Sequence, residues 1–317
     1  MATDKIVLFC GSLYPFYVIF YSFVWGGALS PAKVDVHELL AWGLDDYSYR
    51  SSAINLGDEE IARQVDHAQR RLARRKCYTS CRALLVEETE SIEDLLAVIA
   101  RRTDLQEEYE GLDWALGVVD VRRLLAFQRR LVFEPRPKFC PIPRQDDWPK
   151  LISLAIGSRR NTEHHLVSNR PTAGLDISLH SSNPDLQLRV NSQNGRDGCL
   201  PFVLHGGSPF FEVGELRGRW FLRDGYHRAY RLLQAGVHRI PAVVIRARTI
   251  EELGATEPWF FGEAQLFSER PPQVTDFLDD GLVLRYERAT LRKFIRVRVE
   301  ESLQPFNERD ETQGGTE

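Results

Sequence analysis

Five consecutive residues, Asp224-Gly225-Tyr226-His227-Arg228, gather a carboxylate, a bare backbone position, a phenol, an imidazole and a guanidinium. That set suits an oxyanion. An arginine fork matches phosphate oxygens, and a histidine adds a donor whose charge changes near neutral pH. Glycine lets main chain approach a ligand closely. A second segment, "HGGSP" at 205–209, offers two glycines and the Ser208 hydroxyl as another phosphate-facing loop, with a plain β-turn as its alternative.

The surrounding elements must position these groups. Trp220, Phe221 and Leu222 read as a buried strand end, and Asp224-Gly225 is a turn signal. From Tyr226 the apolar period changes: Ala229, Leu232 and Leu233 predict a helix over Tyr226–Leu233, stopped near Gly236. "IPAVVI" then predicts a strand over Ile240–Ile245, with Pro241 near its start. In a strand–turn–helix–strand unit of this kind, the turn lies at a helix N-terminus. Unpartnered N–H groups and the helix dipole favour an anion there, above all a phosphate.

Composition sets bounds on function. The 317 residues carry a formal net charge of -4, so no global field favours nucleic acid. Five scattered cysteines argue against a disulfide framework and for a reducing, cytoplasmic setting. Cys77 and Cys81 are read as small buried residues rather than as zinc ligands, and Glu163, His164 and His165 as loop residues rather than a chelate. Ile6 to Leu29 carries no charge and is long enough to cross a bilayer, but Pro15 and Gly26-Gly27 interrupt it. Residues 1–30 therefore stand as an anchor or a buried hairpin, and membrane association rests on residues 6–29.

Residues 31–111 are expected to be mainly helical. "GDEEIARQVDHAQRRLARRK" has acids in its first turn and bases in its last, and "SIEDLLAVIARR" is expected to start at Ser91 as cap. The basic run of the first helix is read as a solvated end. "RRTDLQEEYEG" looks like a surface connection, after which a module over 112–250 begins with the strand "ALGVVDV" and the apolar-periodic "RRLLAFQRRLVF". "DDWPKLISLAIG" is a short helix capped by Asp146 or Asp147, with Pro149 in its first turn. Residues 157–200 read as a long polar excursion, and 200–225 as strand-rich. An extension over 251–300 contains an expected β-hairpin in "GLVLRYERATLRKFIRVRVE", and 301–317 is a disordered tail.

"DGYHRAYRLLQAGVHRIPAVVI" resembles the ParB/sulfiredoxin superfamily, in which a strand ends in a Gly-x-His-Arg turn followed by a helix, a glycine and an Ile-Pro-Val strand. The match is dense over Trp220 to Ile245 and reaches back with less detail to about Asp113. The resemblance implies an α+β fold: a mixed sheet with flanking helices, preceded here by the mainly helical N-terminal region. It implies ATP or CTP as ligand, with Gly225 and Tyr226 approaching the phosphates and His227 and Arg228 binding their oxygens. Mg2+ would be held partly by Asp224, which matches the acid of the Asp-Gly-His motif in the serine kinases. The kinases also need a separate carboxylate; Glu212 and Glu215 are available with no motif to decide between them, and Glu212 is carried forward with Asp224 and His227 as the catalytic set. Sulfiredoxin has a cysteine where this chain has Tyr226, which removes sulfinic-acid reduction, and no helix-turn-helix pattern follows to bind DNA. The expected function is nucleotide-phosphate binding, either as a nucleotide-dependent phosphotransferase or hydrolase on a small molecule, or as a non-catalytic, nucleotide-responsive module.

Overall fold

The run "RIPAVVIR" is apolar at nearly every position, the pattern of a strand covered on both faces. It lies inside the largest sheet of the protein. The computed structural model describes residues 33–44, 58–133, 141–157, 165–169, 175–181, 187–190, 202–205, 208–257, 259–291 and 293–299. In chain order the strands and helices begin with β1 (Lys33–Leu39), α1 (Asp58–Ala73), β2 (Leu84–Leu85), α2 (Val86–Ser91), α3 (Glu93–Ala100) and α4 (Thr103–Glu108). Next come β3 (Trp114–Asp120), β4 (Leu125–Ala126), β5 (Arg130–Phe133), α5 (Trp148–Ala155), β6 (His165–Asn169), β7 (Leu175–Ser181), β8 (Gln187–Val190) and β9 (Phe202–His205). The elements around the Asp224–Arg228 turn follow as β10 (Glu212–Leu216), β11 (Arg219–Asp224), α6 (Tyr226–Gln234) and β12 (Arg239–Arg246). The last elements are α7 (Ile250–Leu253), α8 (Glu263–Leu266), β13 (Val283–Ala289) and β14 (Lys293–Val299).

The fold is α+β, with mixed sheets. Six strands are ordered β2-β3-β12-β10-β11-β4, with β10–β12 and β11–β4 parallel and the other pairs antiparallel. The core on this sheet joins Phe210, Phe211, Val213, Phe221, Leu222, Ala229, Leu232 and Val243 to Leu39, Leu105 and Tyr109 from the N-terminal third. Helix α6 and strand β12 extend one residue or so beyond their expected limits at each changed end. Pro241 precedes Val243, where pairing with β10 begins. The α5 cap is Asp147, whose carboxylate accepts from the Lys150 N–H.

Several expectations are corrected. The N-terminal third is not only helical: "VDVHEL" alternates as a strand, and β1 is the centre of a sheet ordered β13-β1-β5. Ser91 does not begin a helix but ends α2, its hydroxyl donating back to the Glu88 carbonyl. "RRTDLQEEYEG" is not a surface connection, because Leu105 and Tyr109, spaced for one helix face, are buried in the core. "RRLLAFQRRLVF" forms a 3-10 turn, β4 and β5. The 157–200 excursion contains β6, β7 and β8, and the alternation of Leu175, Ile177 and Leu179 was the missed signal. The C-terminal strands exist but do not form a hairpin: β13 pairs with β1, and β14 pairs with β7. Alternation specifies which face of a strand is apolar and leaves its partner open. Cys77 and Cys81 are exposed, beyond the end of α1. Residues 6–29, Glu163, His164 and 301–317 lie outside the described residues; no helix among the described residues is long and apolar enough to cross a membrane.

β1 carries a charge into the interior. Glu38 is fully buried opposite Arg130 of β5, with Arg130 Nε 3.1 Å from its carboxylate, and Tyr286 donates to the other oxygen at 2.8 Å. The preceding residue, His37, faces the other way and packs on Phe133 and on Tyr230 of α6. Burial, then the Arg285 guanidinium, lowers its pKa below the ordinary 6.5, against the opposing pull of Asp35 and Asp280. The fold therefore prefers neutral His37, the unfolded chain binds more protons below that value, and stability falls as pH drops through it. Urea titrations across this range should show a shallower loss for His37→Phe than for the wild type. Glu38→Ala strands a buried guanidinium and should cost about 3–5 kcal/mol, whereas Tyr286→Phe, which removes one donor, should cost about 1–2 kcal/mol.

Candidate functional site

The site is built where β11 runs out. Asp224 is the last residue of the strand, Gly225 adopts φ 96° and ψ 18°, and α6 begins at Tyr226. A side chain at Gly225 would be strained twice, by its positive φ and by the buried Phe211 ring, 2.7 Å from where a Cβ would stand. The Gly225 N–H donates to the Asp224 carboxylate, which is 40% exposed and lies 3.6 Å from Arg228 Nη2. The first-turn N–H groups, at 226–228, have no acceptor within the helix.

His227 is exposed on that first turn. Its Nε2 is 2.8 Å from the Val132 carbonyl of β5, and its ring stands edge-on to Phe133. A carbonyl can only accept, so Nε2 carries the proton and neutral His227 presents Nδ1 as a lone pair.

Tyr226 and Arg228 turn inward instead. Tyr226 is buried; its hydroxyl donates to the Leu222 carbonyl at 2.8 Å and accepts from the N–H groups of Phe127 and Gln128. Burial raises its pKa, keeping the hydroxyl a donor. The expected contact of Tyr226 with a ligand is thereby corrected. Arg228 donates through Nη1 to the carbonyls of Leu154, Ala155 and Pro209, and through Nη2 to that of Phe210. Its guanidinium fastens the start of α6 to the end of α5 and to the segment leading into β10.

That segment begins with Ser208, so the Ser208-Pro209 end of the second loop meets the turn through Arg228, while Gly206 and Gly207 lie outside the described residues. The Ser208 hydroxyl accepts from the Phe210 N–H at 3.1 Å and lies 3.4 Å from the Tyr109 hydroxyl. Glu212 is paired in register with Asp224 and is buried. One of its oxygens accepts from Tyr109 at 2.5 Å, and the other is 3.1 Å from Arg223 Nη1. Burial first and then Glu212 push the Tyr109 pKa far up, so this phenol stays a donor. Glu215 lies at the opposite end of the hairpin, where it accepts from Gly218 N–H and braces the Arg217-Gly218 turn, both residues at positive φ. The geometry thus separates the two carboxylates: Glu212 is next to the turn, and Glu215 is not. Tyr109 and Arg223 are the members of the site that sequence reasoning missed. Arg223 adjoined the motif, but Tyr109 had only its spacing from Leu105 to mark it as interior.

One groove opens along 142–146 and 235–239 and a second beside α1, and neither is lined by a residue of the turn. Among the described residues no group of three or more His, Cys, Asp or Glu side chains is placed to hold a metal ion. Asp224 is one carboxylate already shared with the Gly225 N–H and Arg228, so it fits a cation only as a supplement to a ligand's own oxygens.

Arg228→Ala would leave several carbonyls without their donor and should cost at least about 3 kcal/mol in a denaturant titration. Arg228→Lys should recover only part, since an ammonium cannot span the two groups of carbonyls as the planar fork does. Unchanged stability in Arg228→Ala would contradict the fastening role. No protein-family model, no curated protein and no solved structure matches this chain.

Proposed function

We propose that the Asp224–Arg228 turn binds a nucleotide phosphate, on a fold of the ParB/sulfiredoxin type, and that the chain works as a nucleotide-responsive binding module. The observation that carries this reading is the junction at Gly225. A left-handed glycine, with no room for a side chain over Phe211, delivers a bare helix N-terminus at the end of a central strand, with exposed His227 on its first turn. Main-chain N–H groups and the helix dipole favour phosphate, and His227 stands beside them on the same turn. Arg228 contributes by holding the junction in place, and Ser208 by its position in the adjoining segment.

The state of Glu212 favours binding over phosphoryl transfer. A general base must be able to reach the proton of the attacking group. Glu212 is buried, with one oxygen bonded to Tyr109 and the other paired with Arg223. If Mg2+ takes part, it arrives on the nucleotide and touches Asp224; ATP and CTP are the candidate ligands.

Calorimetry of the whole chain with ATP, CTP and GTP, each with and without Mg2+, tests the proposal. One nucleotide should bind saturably, and His227→Ala, which also gives up the bond to Val132 at a cost of about 1 kcal/mol, should weaken it while the protein stays folded. Folded wild-type protein that binds none of the three would overturn the reading, as would a His227→Ala variant with undiminished affinity.

A further inference from the structure

The second groove has chemistry of its own. It has a volume of about 410 Å³ and runs beside the C-terminal half of α1, against the segment 276–282. The helix packs through Ile61, Val65, Ala68 and Leu72 onto Leu282, Leu284 and Tyr286, which fixes the direction of its other faces. His67 and Arg71 lie at i and i+4 on one face of α1, Arg74 follows in the turn just past its end, and all three line the groove.

These cations differ in how they are held. Arg75 forms the floor: its Nη1 lies 2.8 and 2.9 Å from the two oxygens of buried Asp276, and its Nη2 reaches the Pro271 carbonyl. Arg70 is tied to Asp66. Arg71 is held only through Nε, which donates to Asp279 at 2.7 Å. The other oxygen of Asp279 accepts from Gly281 N–H at 3.0 Å, so the anchor is itself fixed by a turn. The two terminal nitrogens of Arg71 thus form an oriented fork with no hydrogen bond or ion pair to a described residue, and the side chains of Arg74 and His67 make none either. An arginine fork held at Nε and open at its two ends matches a tetrahedral oxyanion better than a freely moving side chain does.

We propose that this groove binds a terminal phosphate carried by a small molecule, with Arg71 and Arg74 as its principal donors and His67 at its edge. The negative end of the α1 dipole opposes an anion here, but it is already met by the arginines of the last turn. A small ligand fits better than nucleic acid or an anionic membrane, because the chain as a whole carries -4 and long polyanions need an extended basic surface. The site is independent of the turn at Gly225.

Calorimetric titration of the full chain with inorganic phosphate and with pyrophosphate tests it. Pyrophosphate should bind saturably, and Arg74→Gln should weaken that binding by about tenfold or more with an unchanged melting temperature, since the Arg74 side chain has no hydrogen bond or ion pair to a described residue to lose. Arg71→Gln should weaken it likewise, and Arg71→Lys should restore only part. His227→Ala should leave it unaltered. The proposal is overturned if wild-type protein shows no saturable binding to either probe, if Arg74→Gln is without effect, or if His227→Ala abolishes binding and so places the probe at the other site. Detectable binding only to RNA or to vesicles of anionic lipid would overturn it as well.

Discussion

The Arg228 guanidinium is the interaction on which the arrangement around the turn depends. It is the point where three stretches of chain, the end of α5, the approach to β10 and the start of α6, are brought to one group of donors. Main-chain carbonyls in such loops cannot be left unpaired away from water without a cost of about 1–3 kcal/mol each. A planar cation with five N–H donors answers several at once. With the carbonyls held, Phe210 and Phe211 can be fully buried, Phe211 N–H pairs with the Ala155 carbonyl, and the ring of Phe211 closes the space above Gly225. Arginine is used this way elsewhere in the chain. Arg219 gathers the carbonyls of Leu266, Phe267 and Ser268 while lying over Tyr78, and Arg129 joins Gly43, Phe260 and Gln265.

Two buried carboxylates follow a second common pattern. Glu38 and Glu212 each accept from a tyrosine hydroxyl and each lie against an arginine, on the β13-β1-β5 sheet and on the six-stranded sheet respectively. Each desolvated charge is costly in isolation and tolerable with its partners present. Such a group fixes register, because a slip of one residue would turn the carboxylate to the opposite face and away from its arginine. Glu212 stands beside Asp224 in the register of the hairpin, and its bonds are those of a structural anion.

The chemistry of the turn is consequently divided between residues that look alike in sequence. Tyr226 and Arg228 serve the interior and hold the helix start in place; Asp224 and His227 remain at the surface. Even His227 is constrained, since its bond to Val132 decides which ring nitrogen faces outward. This bond also connects the turn to β5 and hence to the sheet that contains Glu38.

Local structure was legible wherever neighbours in sequence set it. The period change at Tyr226 marked α6, the apolar run after Arg239 marked β12, and Asp147 with Pro149 marked the start of α5, because caps, turns and amphipathic faces act within a few residues. The chain by itself also determined that Gly225 had to be small and that an imidazole and a guanidinium would follow it. Tertiary structure alone decided where those groups point. Nothing near Arg228 announces that carbonyls from 154–155 and 209–210 will reach it, and nothing near Glu212 announces Tyr109, more than a hundred positions upstream. The same holds for β13 and β14, adjacent in sequence yet paired with β1 and β7 in different sheets. Alternation records which side of a strand is apolar; the choice of strand partner, and of which polar groups meet in the interior, belongs to contacts between segments far apart in the chain.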